Sequence, residues 1–286
     1  MHYILYNPLS CKGATIKDAN KLARRFTKQK INCIIMDILK IDDVSFFLAS
    51  LLPSDEITII GGDGTIHRLV NKINDLKIPN SVYVCKTGTG NDFYRSLRSQ
   101  AHKKMIKVNK YLYNLPTFDL PEYQLKEKFC NGCGVGLDGL ICYKVNTSDS
   151  IITKGNYFKK TLQSFKEYQK IDHLELLVDG QTSSYDHVWF CSVMNSKYQG
   201  GGMNIAPKAS RDSSKLYVVV VDHYSKFQIL MRFLLIYLGW HIHLKHVKIL
   251  EVKDEVTITS ATGVYFQVDG DTNYPVTKLH VKTYQE

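Results

Sequence analysis

Short apolar runs and helically spaced apolar positions alternate through the first 115 residues. Residues 3–6 (YILY), 33–38 (CIIMDI), 57–60 (ITII) and 82–85 (VYVC) are strand-like. Between them, residues 16–29 carry Leu22 and Phe26 at helical spacing, and residues 42–52 have an acidic start that suits a helix dipole. Residues 65–75 and 91–97 complete the series as helices. A strand–helix rhythm of this kind predicts a parallel sheet covered on both faces.

The texture changes after Leu115. Short apolar runs at 129–133, 174–178, 188–194, 216–221, 247–252, 256–258 and 265–268 follow one another, interrupted by helical patterns at 157–170 and 226–240. Many short strands with few helices imply an antiparallel β-domain. The expected class is therefore α/β plus β. A Rossmann-like parallel α/β domain over residues 1–116 is followed by an antiparallel, β-sandwich-like domain with helical insertions over 117–286. A cleft between domains is the default location for a ligand.

Composition narrows this only in part. The 286 residues are 44% hydrophobic and 22% charged, which is ordinary for a globular protein, and no repeat is visible. The opening MHYILYNP lacks the basic leader and apolar length of a signal peptide. Residues 227–244 (FQILMRFLLIYLGWHIHL) are the most apolar stretch, but Gln228, Arg232, Gly239 and two histidines interrupt any spanning run. Two readings of this helix stay open, a core element and a lipid-entry or membrane-docking surface.

The net charge of +10 suits anionic lipid or phosphorylated molecules, and without a basic arm no nucleic-acid partner is expected. Seven cysteines, an odd number, point to reduced thiols in a cytoplasm. The one CxxC, Cys130 to Cys133, has no second pair, so these read as buried structural thiols. His241, His243 and His246 read as a polar turn rather than a zinc site. Gly134-Val-Gly136-Leu-Asp-Gly139 reads as a tight turn rather than a dinucleotide fingerprint, having no acidic partner on a second strand.

The chemistry concentrates where the early strands end. Tyr6 leads into Asn7, Pro8, Leu9 and Ser10. Ile60 leads into Gly61, Gly62, Asp63, Gly64, Thr65, Ile66 and His67. Cys85 leads into Thr87, Gly88, Thr89, Gly90, Asn91 and Asp92. In an open α/β sheet such loops gather at the carboxyl edge, where ligands bind. Glycines let backbone approach a phosphate, and helix-opening N–H groups supply an anion site. Asp63 and Asp92 would repel a bare phosphate. A divalent cation between them resolves the conflict, since Mg²⁺ is held by one or two carboxylates plus phosphate oxygens. The loops together suggest a nucleoside triphosphate with its metal, although no GxxxxGK[ST] is present.

The set NPxSxxG, GGDGT and GTGNDF resembles the catalytic domain of diacylglycerol kinases and related soluble lipid kinases, sphingosine and ceramide kinases included. Phe118-Asp119-Leu120, Phe129 with Asn131, Gly136-Leu137-Asp138, Met194-Asn195 with Gly200-Gly201-Gly202 and Ala206-Pro207, and Asp269-Gly270-Asp271 are similar to that family's later motifs. The resemblance implies an ATP- and Mg²⁺-dependent kinase that phosphorylates the hydroxyl of a lipid such as diacylglycerol. Asn7 to Ser10, Gly61 to His67 and Thr89 to Asn91 would bind nucleotide. Asp63, Asp92 and Asp119 would form a magnesium-linked network, and Asp271 would be the general base.

Three departures stand out. Arg68 occupies a position where the family has Glu, and Asp271 one where it has the longer Glu. Asp212 stands one residue before the place of the family's structural-magnesium acid, which falls on Ser213. Lipid at a membrane surface is the expected partner, for a cytoplasmic enzyme compatible with a peripheral place at the inner membrane. A homodimer stays open. A kinase of a soluble substrate such as NAD or a sugar, and a catalytically weakened nucleotide- or lipid-binding protein, are the alternatives.

Overall fold

A computed structural model describes residues 1–87, 91–97, 105–148 and 154–284. The chain divides into two compact units, Met1–Leu115 and Pro116–Glu286.

The first unit is a five-stranded sheet. Its strands are β1 (His2–Tyr6), β2 (Cys33–Asp37), β3 (Glu56–Ile60), β4 (Ser81–Cys85) and β5 (Met105–Lys107), in the order β2-β1-β3-β4-β5. The first four are parallel, and β5 adds an antiparallel edge to β4. Ile57, Ile59, Thr58 and Ile60 are all buried. Both alternating faces of β3 are therefore covered, which explains why its sequence is apolar without alternation. Helix α1 (Thr15–Lys28) buries Ala19, Leu22 and Phe26 against Ile4 and Ile60. Helix α2 (Val44–Ser50) starts where Asp43 accepts the Phe46 N–H. Helices α3 (Asp63–Ile73) and α4 (Asp92–Ser96) follow β3 and β4.

The second unit begins with β6 (Thr117–Leu120), β7 (Leu125–Lys128) and β8 (Gly132–Gly136), then α5 (Leu137–Asn146) and α6 (Lys154–Glu167). Next come β9 (Ile171–Val178), β10 (Gln181–Val188), β11 (Phe190–Met194) and the short pair β12 (Tyr198–Gln199) and β13 (Met203–Asn204). The chain closes with β14 (Leu216–Val221), α7 (Lys226–Leu238), β15 (Val247–Val252), β16 (Glu255–Val268) and β17 (Asp271–Lys282). The sheet runs β15-β14-β11-β8-β16-β17-β6-β7, and β9, carrying β10, also pairs with β16. Strand β16 pairs β9 through Val256–Ser260 and β8 through Phe266–Val268, with register shifts between the two stretches. One long strand thus serves two pairings, the irregularity between them supplying the bend that lets an antiparallel sheet fold over its own core. The sequence pattern shows this strand as two runs.

The glycine cluster at Gly134–Gly139 is corrected. It is no tight turn: β8 runs straight into α5, and Gly136 makes the corner at φ 122°. A Cβ on Gly134 would lie 2.5 Å from the Cys191 carbonyl oxygen, and one on Gly139 2.4 Å from that of Tyr265. These glycines exist for close packing between strands and helix.

Gly134→Ala should therefore lower the unfolding free energy by about 2–3 kcal/mol in urea denaturation, because fixed backbone stands where the methyl group must go. Unchanged stability would show that β8 and β11 can separate at that point.

Candidate nucleotide-facing loops and the Asp271 hairpin

Parallel register brings β1, β3 and β4 to an end along one edge, with Tyr6 opposite Ile60 and Ile59 opposite Val84. The following loops are tied to each other by side chains. Thr65 is buried in the first turn of α3. Its hydroxyl accepts a hydrogen bond from Asn7 Nδ2 at 2.9 Å and meets Ser10 Oγ at 3.1 Å. Asn7 Oδ1 accepts from the Leu9 N–H, which closes the Asn7–Ser10 turn. Ser10 Oγ also lies 3.4 Å from the Gly62 nitrogen. The β1 loop is thereby fixed to the opening of α3.

The β4 loop is fixed from its other side. Thr87 Oγ1 donates to the Gly61 carbonyl at 2.5 Å, and Asn91 Nδ2 donates to the Thr87 carbonyl. Asp63 accepts from the backbone N–H groups of Asp92 at 3.0 Å and Phe93 at 2.8 Å, so its carboxylate caps α4. Asp92 is buried, with Arg95 Nε 3.9 Å from its carboxylate. The sequence thus places Asp63 and Asp92 in one spot, and the structure adds a structural duty for Asp63 that no motif announces.

The three glycines of GGDGT are not equivalent. A Cβ on Gly61 would stand 2.4 Å from Thr65 Oγ1, and Thr65 cannot withdraw without breaking the bonds to Asn7 and Ser10. At Gly62 and Gly64 a Cβ would meet nothing within 4 Å, and Gly62 has an ordinary φ of −88°. Among the described residues, no packing contact requires glycine at either position. Ile66 and His67 are buried. Leu9 is largely exposed. Thr89 and Gly90 lie outside the described residues.

A shallow depression adjoins these loops. Asn7 and Thr65 line its inner end, Ile38 and Val44 its apolar wall, and Arg68 and Lys72 its cationic side. Arg68, where the sequence lacks the expected acid, thus borders the same depression as Asn7 and Thr65.

The second unit holds Asp119, Asp212 and Asp271. Asp119 is half-buried on β6, opposite His280 of β17 and Lys126 of β7. Asp212 is exposed in a turn where its N–H donates to Ser210 Oγ. Among the described residues no three His, Cys, Asp or Glu side chains gather as a metal cluster. Asp271 opens β17 after the two-residue turn Asp269-Gly270, in which both residues take positive φ.

Asp269, which sequence reasoning passed over as part of a turn, anchors this hairpin. Its buried carboxylate accepts from the N–H groups of Cys130 at 2.5 Å, Asn131 at 2.7 Å and Gly132 at 3.3 Å. The same loop is held on its other side. Asn195 Nδ2 donates to the Cys130 carbonyl, and Arg211 bonds that carbonyl and the Asn131 side chain. Three motif segments, joined by Arg211, therefore meet at residues 130–132. The clue in the sequence was composition alone: Asp tolerates the left-handed first position of such a turn, but its long-range partners leave no local trace.

Behind the hairpin, Asp138 accepts from Ser192 Oγ and Gln267 Nε2, each at 3.1 Å, and burial pushes its carboxyl above the usual range. Burial likewise pushes the Cys142 thiol up to about 12 and Cys133 well above its ordinary value. These thiols stay protonated, and Cys130 and Cys133 lie buried in the core. His241 is buried with Nε2 on the Ile205 carbonyl, whereas His243 is exposed.

Comparison with known proteins agrees with this architecture. Residues 2–113 match the diacylglycerol kinase catalytic domain, and residues 132–281 match the YegS C-terminal NAD kinase beta sandwich-like domain. A protein named diacylglycerol kinase from Mycobacterium tuberculosis is 22% identical over 279 residues, covering 95% of this chain and 89% of its own length. YtlR of Bacillus subtilis is 26% identical over 75% of this chain and 73% of its own. A crystal structure described as a diacylglycerol kinase from Bacillus anthracis superposes with a TM-score of 0.59. It is 17% identical and covers 99% of this chain and 94% of that one, a likeness of fold. Fold and matched domains define a phosphotransferase of the lipid-kinase type. The chain belongs to the diacylglycerol kinase catalytic-domain family, in the form that carries the YegS-type C-terminal domain.

Asp269→Ala should lower the unfolding free energy by about 3 kcal/mol, since three buried N–H groups lose a charged acceptor together. Chemical denaturation measures it, and a loss below about 1 kcal/mol would mean that water replaces the carboxylate at no great cost.

Proposed function

We propose that the protein transfers the γ-phosphoryl group of ATP to the hydroxyl of a diacylglycerol-like lipid. The observation that carries this reading is the open space over Gly62 and Gly64 at the start of α3. Among the described residues no packing contact explains glycine there, and a phosphate group lying against backbone N–H groups would supply the reason. The adjoining depression places Arg68 and Lys72 beside the same helix start, where cations suit a negatively charged ligand.

The donor set is compatible with Mg²⁺. Asp63 and Asp92 are hard oxygen donors at one place. Bound there with the nucleotide, Mg²⁺ would neutralise phosphate charge. Asp119 is proposed as the third acid of the network.

Asp271 is the proposed general base. As the acceptor oxygen bonds to phosphorus and the bond to the ADP oxygen breaks, the hydroxyl proton passes to the Asp271 carboxylate. Such transfer depends on position, and the locked Asp269-Gly270 turn fixes where this carboxylate starts.

The test is incorporation of labelled γ-phosphate into a panel of lipids with Mg²⁺. Transfer to diacylglycerol is expected, and Asp271→Asn should reduce kcat by about a hundredfold or more while ATP binding is retained. Transfer to NAD or a sugar and to no lipid would overturn the acceptor. If ATP binds without turnover, and Arg68→Glu with Asp271→Glu restores it, the chain is a weakened kinase.

A further inference from the structure

The helix α7 is apolar on two faces, and the core explains only one. Ile229 and Ile236 are buried, and Phe233 packs edge-on against Phe165 at 5.6 Å between ring centres. The opposite face carries Phe227, Leu230, Met231, Leu234 and Leu238, spaced three, four, seven and eleven residues from the first, so they form one stripe. Phe227 and Leu234 are each 72% exposed, and Trp240, just beyond the helix, is 63% exposed. A contiguous apolar stripe of this kind on a basic protein is unlike the isolated exposed hydrophobes of an ordinary surface.

The helix is well made, so the exposure is not fraying. Ser225 and Gln228 form a reciprocal capping box at its start, and Gly239 ends it at φ 72°. At thirteen residues it is too short to cross a bilayer, and no helix among the described residues is long and apolar enough to do so.

Charge selects the occupant. From residue 223 to residue 250 the sequence contains no Asp or Glu, while Lys226, Arg232, Lys245 and Lys248 lie within it. Lys226 and Lys245 are both exposed and stand on either side of the stripe in sequence, Lys226 also donating to the Lys166 carbonyl. Arg232 lies over the Tyr224 ring at 4.9 Å on the helix flank. An apolar stripe edged by cations, with an exposed tryptophan at one end, matches the boundary between acyl chains and anionic headgroups. A second copy packed on this stripe would bring further cations to the edges of the contact and no acid from the same segment to neutralise them.

We infer that the exposed face of α7, from Phe227 to Trp240, docks the protein on an anionic lipid bilayer, lying in the interface without crossing it. The inference rests on the lipid-kinase reading for its biological sense, though not for its geometry. The surface is joined to a motif segment of the same unit. Gly239 packs against Asn204 and Pro207, and His241 holds the Ile205 carbonyl at 2.9 Å. Docking therefore fixes the Gly200–Pro207 segment relative to the membrane plane.

The experiment is cosedimentation of the whole protein with vesicles, without nucleotide. The vesicles are phosphatidylcholine alone, or phosphatidylcholine with about one third phosphatidylglycerol, an anionic fraction high enough to set a strong surface potential. Wild type should bind the anionic vesicles and be released by salt at several hundred millimolar, about where screening becomes short-ranged. Met231→Ser with Leu234→Ser should weaken binding by about tenfold or more. Lys245→Glu, which leaves the apolar stripe intact, should weaken it several-fold. Both variants should keep the wild-type unfolding midpoint. Equal binding by wild type and both variants overturns the inference, as does a wild-type dimer that the serine variant converts to monomer. Phosphorylation of a short-chain diacylglycerol below its micelle concentration separates the two readings. The serine variant should match wild type there, whereas absence of transfer by both, with vesicle binding still lost in the variant, rejects the kinase reading and leaves docking intact.

Discussion

The hydroxyl of Thr65 is the point to which the loops of the first unit are tied. It takes a hydrogen bond from Asn7, meets Ser10, and fills the place where a side chain on Gly61 would stand. From that contact follow the closed Asn7–Ser10 turn and the position of Gly62 beneath Ser10. Asp63, two residues earlier on the same helical turn, then captures the start of α4 through two backbone N–H groups. A single buried threonine and its neighbouring acid thus convert three separate strand ends into one continuous surface. Rigidity here has a function, because phosphoryl transfer relies on placement far more than on covalent participation by the protein.

The second unit uses the same device with different parts. Asp269 gathers three N–H groups of the Cys130–Gly132 loop, while Asn195 and Arg211 hold its carbonyl and side-chain oxygens. Charge-assisted bonds to backbone are among the stronger protein hydrogen bonds, and their burial makes the arrangement intolerant of partial loss. Asp271 inherits its place from this lock. Of two acids that stand two positions apart, Asp269 builds the hairpin, and Asp271 is the one to which the proposed function gives the chemistry.

Much of the fold was legible because the first unit obeys simple periodicities. Runs such as ITII announce a strand buried on both faces, and Leu22 with Phe26 announces the face of α1. Residues 216–221 and 247–252 match β14 and β15 to the residue. Legibility failed where long-range packing decides. The polar residues of β10 and the mixed β17 hide strands whose stability comes from their partners. Gly134 and Gly139 look like turn residues until Cys191 and Tyr265 are seen against them. The site was legible as a cluster of loops, since motif spacing places Asn7, Gly61 and Asn91 at one sheet edge. What sequence cannot separate is a glycine demanded by the fold from a glycine demanded by a ligand. Gly61 is of the first kind, whereas among the described residues no packing contact accounts for Gly62 or Gly64, which the proposed function assigns to the second.

That distinction is the account's central claim, and calorimetric titration of ATP with Mg²⁺ into the wild type and a Gly62→Ala, Gly64→Ala double variant tests it directly. The account predicts a loss of nucleotide affinity of about tenfold or more, together with an unfolding midpoint in urea that is unchanged or slightly raised, as expected when alanine replaces glycine without strain. Wild-type affinity in the double variant, or a variant that unfolds more readily without any change in binding, would contradict it.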